Sequence, residues 1–215
     1  MMIGGFIITG IVPKKVIVRG IGPSLAAAPV NIQSPLADPI VELHGPDGSL
    51  IRTNDNRKQS QEGAIVASGL ARKDNKEAAI IATLGPGNYT AVLRGANNST
   101  GVGLVEVYDL DAEAASDLRN VSTRGFVGTG ENVMIGGFQF GRNQGPATIL
   151  VRAIGPNLAS AGIAHPLSDP MLELHDMNGA LLISNDNWRT DPAQAMAIQA
   201  TQIPLADDRE AAVIT

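Results

Sequence analysis

Apolar and polar residues alternate along many short segments of this chain, a pattern typical of half-buried β-strands. In the first half of the chain the alternation predicts strands at residues 3–9, 15–20, 40–44, 50–54, 78–83, 88–94 and 101–108. In the second half it predicts strands at residues 121–127, 133–140, 147–153, 171–175, 180–185 and 211–215. Asp-Gly and Asn-Gly pairs at Gly48 and Gly179 indicate tight hairpin turns, because these residues tolerate positive φ.

Two Ala-rich segments, residues 59–71 and 192–202, have helical spacing instead. The pair Asp191-Pro192 is typical of the start of a helix. The pattern therefore predicts an all-β chain, built as β-sandwich or jelly-roll units, with a short helix crossing one end of each unit.

The chain contains an internal duplication. The sequence VRGIGPSLA, which starts at Val18, matches VRAIGPNLA, which starts at Val151, at seven of nine positions. Four shorter matches follow at the same offset of 131 to 133 residues: PLxDP, ELH, NDN and EAA. Such agreement in one register indicates two copies of one structural unit.

This register predicts the domain boundaries. We expect a first repeat at residues 1–110, an acidic linker at 111–118 and a second repeat at 119–215. Residues 120–132 precede the second copy and have no counterpart before the first, whereas residues 83–110 have no counterpart in the second. The first repeat is thus expected to lack its first strand and the second its last strands, as in a segment of a longer array.

Composition narrows the functional classes. Hydrophobic residues are 44% of the chain but aromatic residues only 3%, so the core is expected to consist of Val, Ile, Leu and Ala. A net charge of −5 without a basic stripe argues against nucleic-acid binding. The apolar N-terminal segment recurs as MIGGF at Met134 and is therefore interpreted as a strand rather than a signal peptide, and no apolar run is long enough to predict a membrane span.

The repeated Asn-Asp-Asn triplets are the candidate metal site. Asn54 and Asp55 in the first copy, and Asn185 and Asp186 in the second, supply the hard oxygen ligands that Ca²⁺ prefers. Asp38 and Asp169, each before a proline, are further candidate ligands. The spacing does not match an EF-hand loop, and Asx residues also cap helices and turns, so both interpretations stay open. No other cofactor is predicted.

The other polar residues shared by the copies are expected to be structural. His44 and His175 are predicted at strand ends, where strand packing or an edge hydrogen bond is the favoured role. Arg19 and Arg152 are expected to bind loop carbonyls or a carboxylate, with the Asp of Asp-Pro as a candidate partner. The sequence contains neither a Gly-x-Ser-x-Gly elbow nor a His-Glu-x-x-His motif, and catalysis is not predicted.

Several phrases carry a family resemblance: VR(G/A)IGPxL, L(A/S)DPxxEL, NDN, LGPGNYTA, GVGLVEVYDL and NVSTRG. Together they resemble a repeat of large secreted or surface-anchored proteins of bacteria such as Verrucomicrobia. Residues 47–108 are also similar to bacterial pre-peptidase C-terminal domains. The resemblance implies an extracellular β-sandwich without its own catalysis.

The sequence thus favours a structural repeat of a bacterial surface stalk, sheath or filament, with copies of itself or neighbouring repeats as partners. Its units would join head to tail, with strand complementation as one route. The alternative is a carbohydrate- or matrix-binding accessory module, for which the single tryptophan, Trp188, would be an aromatic contact. A hydrolase is a third hypothesis, without a recognisable catalytic group.

Overall fold

The computed structural model describes residues 1–130, 132–139 and 147–215. The chain divides into two compact units, Met1–Gln139 and Phe140–Thr215. The described elements are mostly strands in antiparallel sheets, which confirms the predicted all-β class.

The described residues of the first unit form eight strands and one short α-helix. They are β1 (Met2–Gly10), β2 (Lys14–Ile21), β3 (Pro39–His44), β4 (Leu50–Asn54), α1 (Glu62–Ala67), β5 (Ala78–Leu84), β6 (Gly87–Gly95), β7 (Leu104–Asp109) and β8 (Ser116–Arg124). All seven strands predicted in the first copy are confirmed, with ends displaced by three residues at most.

The strands of the first unit form two sheets. One has five strands in the order β4-β3-β6-β1-β8, and the other has three in the order β5-β2-β7. Inward-facing residues of both sheets form one hydrophobic cluster, including Val16, Val18, Val41 and Leu43, which are fully buried. Aliphatic side chains dominate this core, as expected.

Strand β2 is buried on both faces, which explains its nearly continuous apolar sequence. Val16 and Val18 face the five-stranded sheet, while Ile17 faces the opposite side and packs with Ile65 of α1. Helix α1 therefore covers the outer face of the three-stranded sheet. The prediction that the helix crosses one end of the unit is wrong, because Ile17, Ala79 and Ile81 create a second apolar surface that needs a cover.

Strand β8 corrects the predicted boundary. The expected linker at 111–118 overlaps β8, which begins at Ser116 and pairs with β1 in antiparallel register. The residues assigned to the start of the second repeat therefore complete the first, which does not lack a strand at this edge. Ser116 is buried and Leu118 packs against the core, and pairing satisfies the backbone groups of β1 that would otherwise be unpaired.

The second unit repeats only part of this arrangement. Its elements are β9 (Leu150–Ala153), β10 (Leu172–His175), β11 (Leu181–Asn185), α2 (Pro192–Ala200) and β12 (Ala211–Ile214). They are the counterparts of β2, β3, β4, α1 and β5 in the duplication register. They form two two-stranded sheets, β10-β11 and β12-β9.

The strand predicted at 133–140 is wrong over residues 133–139, which have no regular structure, and Phe140 lies outside the described residues. The corresponding segment of the first unit, β1, is held between β6 and β8. No counterpart of those two strands occurs among the described residues of the second unit.

None of the described helices is long and apolar enough to span a membrane.

Candidate functional site

A buried carboxylate marks the best-defined polar site of the first unit. Glu77 is 1% exposed, and its two oxygens accept hydrogen bonds from the backbone N–H groups of Gly22 at 2.9 Å and Ser24 at 2.7 Å. Ser24 lies in a short 3₁₀ helix, Pro23–Ala26, whose first N–H groups have no partner within the helix. Glu77 therefore holds the turn that follows β2.

The same arrangement recurs in the second unit. Glu210, also 1% exposed, accepts hydrogen bonds from the backbone N–H groups of Gly155 at 3.2 Å and Asn157 at 3.0 Å. The glycine of each Ile-Gly-Pro motif is also required for a steric reason. A Cβ at Gly22 would collide with the carbonyl oxygen of Leu36, and one at Gly155 with that of Leu167.

Two side-chain amides bind the outer edge of β5. Asn54 accepts a hydrogen bond from Ala79 N–H at 2.9 Å. Gln61 donates to Ile81 O at 2.9 Å and accepts from Ile81 N–H at 3.0 Å. These amides take the place of a neighbouring strand, and this edge of β5 is closed against further pairing.

The second unit closes the edge of β12 in the same way. Asn185 accepts a hydrogen bond from Ala212 N–H at 2.9 Å. Gln194 donates to Ile214 O at 3.1 Å and accepts from Ile214 N–H at 2.9 Å. Both units thus preserve the same edge protection.

These contacts give the candidate calcium residues a structural role. Besides binding the next strand, Asn54 donates to Asn56 O at 2.9 Å and Asn185 donates to Asn187 O at 3.0 Å. Neither triplet caps a helix: the residue before α1 is Gln61, which makes no side-chain cap, and α2 is capped by Asp191. Helix capping by the triplets is therefore wrong, whereas their local hydrogen bonds agree with the turn alternative and the helix start predicted at Asp191-Pro192 is confirmed.

Calcium binding by these residues stays a prediction. Within the described residues no group of three or more His, Asp or Glu side chains lies together as metal ligands. Asp55 is hydrogen-bonded to the side-chain amide of Asn56. In both copies the asparagine amide is already engaged with the backbone, which supports the structural alternative for Asn54 and Asn185.

The two repeated arginines bind a loop carbonyl, as expected, but only one also binds a carboxylate in the contacts described. Arg19 donates to Leu70 O and to the carboxylate of Glu106, and its guanidinium lies 4.8 Å from the ring centroid of Tyr108. Asp38 was the expected carboxylate partner, and that detail is wrong because β7 places Glu106 opposite Arg19. Arg152 donates to Ile203 O at 3.2 Å and is exposed.

The repeated histidines stabilise hairpins. His44 contacts Gly48 O at 3.1 Å and the Glu42 carboxylate at 3.3 Å, and His175 contacts Gly179 O at 3.1 Å and Glu173 at 3.0 Å. The hydrogen bond with Glu173 raises the pKa of His175 above its usual value, and the carbonyl of Gly179 adds to this effect. The hydrogen-bonded histidines confirm the predicted edge role.

Trp188 is unsuitable as an exposed aromatic contact. Its side chain is 1% exposed, and its indole Nε1 donates to Asp207 O at 3.2 Å. It packs with Ile198, Leu205 and Ala212 beneath α2. The tryptophan is therefore a core residue of the second unit.

The sequence interpretation missed the roles of Glu77, Gln61 and Lys14. Glu77 and Gln61 have identical counterparts at the same offset, so a search for repeated polar residues would have found both. Lys14 is 1% exposed and binds the Asp109 carboxylate at 2.7 Å and Asp111 O at 2.8 Å. The second copy has no lysine at the corresponding position, so a search for repeated polar residues would not have found Lys14.

Two strands of the second unit have fewer described partners than their counterparts in the first unit. Strand β9 pairs with β12 alone and β10 with β11 alone within the described residues. In the first unit the corresponding edges of β2 and β3 pair with β7 and β6.

Comparison with protein-family models, curated proteins and solved structures found no match to this chain.

Proposed function

We propose that this chain is a non-enzymatic structural repeat of an extracellular assembly, such as a stalk, sheath or filament on a bacterial surface. In this proposal the units are tandem β-sandwich repeats that join head to tail through shared strands. Residues of neighbouring repeats or of further copies are the expected partners.

The observation that carries the proposal is the identical use of the repeated polar residues. Glu77 and Glu210 make corresponding hydrogen bonds to the backbone of their own units, and so do Gln61 and Gln194. The two asparagines that begin the Asn-Asp-Asn triplets do the same. Side chains of the types that usually build binding sites are here engaged in holding turns and strand edges, which supports a scaffold role.

Some sheet edges are closed by side chains and others are not, and this difference supports the joining of units through strand pairing. In each unit side-chain amides close one sheet edge, at β5 and at β12. The edges of β9 and β10 have no such closure among the contacts described, and an open edge is a template for another strand.

The glycan-binding alternative has less support. Aromatic platforms for sugars need an exposed ring face, and Trp188 is buried. Two surface recesses of the first unit, one beside Arg94 and one beside Tyr89, are open grooves lined by no acidic or histidine side chain. No specific contact favours a bound sugar at either place.

Sedimentation and negative-stain imaging of the purified chain over a range of concentrations test the proposal. We expect concentration-dependent linear oligomers, and we expect Met171→Lys to abolish them, because Met171 lies beside the open edge of β10 and is 67% exposed. The matched control is Met177→Lys, the same substitution at a hairpin tip that is 98% exposed, which should leave assembly unchanged. Monodisperse monomers at every concentration, without fibres, would contradict the proposal.

The location is tested separately. Antibodies raised against the chain should label the surface of intact producing cells. Labelling that requires permeabilised cells would contradict an extracellular role.

A further inference from the structure

We propose that β8 and the connection before it, residues 112–124, form an extensible strap. Tension along the chain peels this strap from β1 while the rest of the first unit stays folded, and the ion pair of Lys14 marks where the peeling stops. The source of the tension is the proposed assembly, so the biological use of the strap rests on the proposed function. The strap itself is a property of the first unit and is tested on the single chain.

The register of β1 and β8 determines how a pull on the chain loads this pair of strands. The strands are antiparallel, with Ile3 opposite Arg124 at one end and Gly10 opposite Ser116 at the other. The chain therefore enters β1 and leaves β8 at the same end of the pair. A pull between these two points separates the strands one residue pair after another, whereas a pull on opposite ends loads all the pairs together.

Strand β8 is the element that such a pull detaches first. Within the described residues β8 pairs with β1 alone, while β1 also pairs with β6 from Met2 to Ile8. Detaching β1 would break two ladders, and detaching β8 breaks one. Strand β1 is also fixed by its side chains, because Phe6 and Ile8 are 3% and 1% exposed in the core.

The C-terminal half of β8 is weakly held. Ser122 and Thr123 lie opposite Gly5 and Gly4, which have no side chains to pack across the strands. Val121 is 67% exposed, and a register shift interrupts the ladder immediately after Gly5. Little apolar surface is therefore exposed to water when the first pairs separate.

The N-terminal half of β8 is better anchored. Ser116 is 4% exposed, and Leu118 packs against the core of the first unit. Gly10 approaches the chain so closely that a Cβ at this position would lie 2.5 Å from Ala115 O. We therefore expect β8 to peel in two stages, the second at the higher force because Leu118 must leave the core.

Lys14 provides the stop. It is the first residue of β2, it is 1% exposed, and its Nζ donates to the Asp109 carboxylate at 2.7 Å and to Asp111 O at 2.8 Å. Asp109 is the last residue of β7, and Asp111 precedes the strap. A pull that has released β8 therefore meets a charge-assisted hydrogen bond and, behind it, the ladder between β7 and β2.

The length of the strap gives a measurable step. An extended chain spans about 3.3–3.6 Å per residue, so residues 112–124 measure up to about 45 Å when they are pulled straight. The sandwich core of the first unit remains intact during this step. Tension is thus relieved by lengthening before any buried side chain beyond those of β8 is exposed.

Single-molecule pulling of the full 215-residue chain tests the strap. The chain contains no cysteine, so introduced cysteines attach the two handles at unique positions. A cysteine added ahead of Met1 and the substitution Phe126→Cys load the same end of the strand pair, and Met1 and Phe126 are 82% and 93% exposed. We expect a reversible gain in length of up to about 45 Å before the unit unfolds.

The matched control changes only the direction of loading. Ala115→Cys replaces Phe126→Cys and pulls on the opposite end of β8, and Ala115 is exposed. We expect the early step to be lost, because the residue pairs of β1 and β8 then bear the load together. The same step at the same force in both geometries, or no step before unfolding with the first pair of handles, would overturn the inference.

The stop is tested with a pair of neighbouring lysines. Lys14→Met should lengthen the early step, since the end of β7 is then no longer held, whereas Lys15→Met, at an exposed lysine, should leave it unchanged. An unchanged step in Lys14→Met would contradict the stop. A step much longer than about 45 Å without any lysine substitution would contradict it as well, which decides the matter even where Lys14→Met does not fold.

The strap and the proposed function can fail separately. Linear oligomers of a chain that shows no early step would leave the proposed function standing and reject the strap. An early step in a chain that never forms oligomers would support the strap and contradict the proposed assembly.

Discussion

Glu77 shows how a single buried charge holds a turn of this fold. Its carboxylate accepts two backbone N–H groups at the point where β2 ends and a 3₁₀ helix begins. A carboxylate supplies two acceptors in one plane, and hydrogen bonds to a charged acceptor are stronger than those to a neutral one. Glu210 accepts hydrogen bonds from the two corresponding N–H groups, both through Oε1, which indicates that this turn is a fixed part of the repeat.

Replacing Glu77 by alanine should destabilise the first unit. The change leaves the buried N–H of Gly22 without an acceptor, at a cost of about 1–3 kcal/mol, and the partly buried N–H of Ser24 adds less because water can reach it. Urea unfolding followed by far-ultraviolet circular dichroism measures it.

The control is Glu62→Ala, which removes an exposed carboxylate paired only with Lys58 at 3.7 Å. An exposed pair of this kind contributes about 0–1 kcal/mol. Equal losses for the two variants would contradict the role assigned to Glu77.

Strand edges decide which elements can extend and which cannot. In β5 and β12 the outer edge is occupied by asparagine and glutamine side chains, which imitate the hydrogen bonds of a strand. This device also anchors α1 and α2, since each glutamine lies at the start of its helix. A helix of six residues is too short to be stable alone, so α1 depends on its packing and on this anchor.

Ile65→Ala tests how α1 is held. Ile65 is fully buried against Ile17, Ala79 and Ile81, and truncation of a buried isoleucine costs about 2–5 kcal/mol. Val66 is the next residue of the same helix and is 54% exposed, so Val66→Ala should change the free energy of unfolding by about 0.5 kcal/mol or less. Similar losses at both positions, measured by urea unfolding, would show that α1 does not pack as described.

The sequence pattern was most successful where strands have partners. All the predicted strands of the first copy occur, since alternation reports a face turned toward a core. The segment at 133–139 has the same MIGGF sequence as β1 and nevertheless forms no strand. Alternation of apolar and polar residues shows that a segment can present one apolar face in a sheet. Its backbone hydrogen bonds, however, must come from neighbouring strands.

The two units show how one sequence motif is buried to different extents. The motif that begins at Val18 lies between strands on both sides, whereas the copy that begins at Val151 pairs on one side only within the part of the chain that the structure describes. Arg19 is buried and ion-paired, and Arg152 is exposed. The difference arises from the surrounding strands and not from the motif itself.

Appending a second copy of residues 83–124 after Thr215 should add counterparts of β6, β7 and β8 to the second unit. Thr215 is the counterpart of Ala82, so the added segment continues the register of the first unit. We expect Leu172, Leu174 and Val151 to become buried and residues 133–139 to form a strand. Amide exchange should slow in these segments, and the Trp188 unfolding transition should move to higher temperature.

A scrambled extension of equal length is the matched control for that chain. Unchanged exchange at residues 133–139 in the extended chain would contradict the expectation that the added strands pair with this segment.

The sequence by itself determined the β class, the duplication, the strands of the first copy and the helix start at Asp191, because these follow from local periodicity and residue chemistry. It also contained the matched pairs Glu77 and Glu210, although not their role. Only the tertiary structure decided that β8 completes the first unit, that Trp188 is buried and that Asn54 binds the backbone of β5. The physical reason is that sheet pairing and burial bring together residues that are distant in sequence. A local periodic pattern does not determine which strand will pair with a given strand edge.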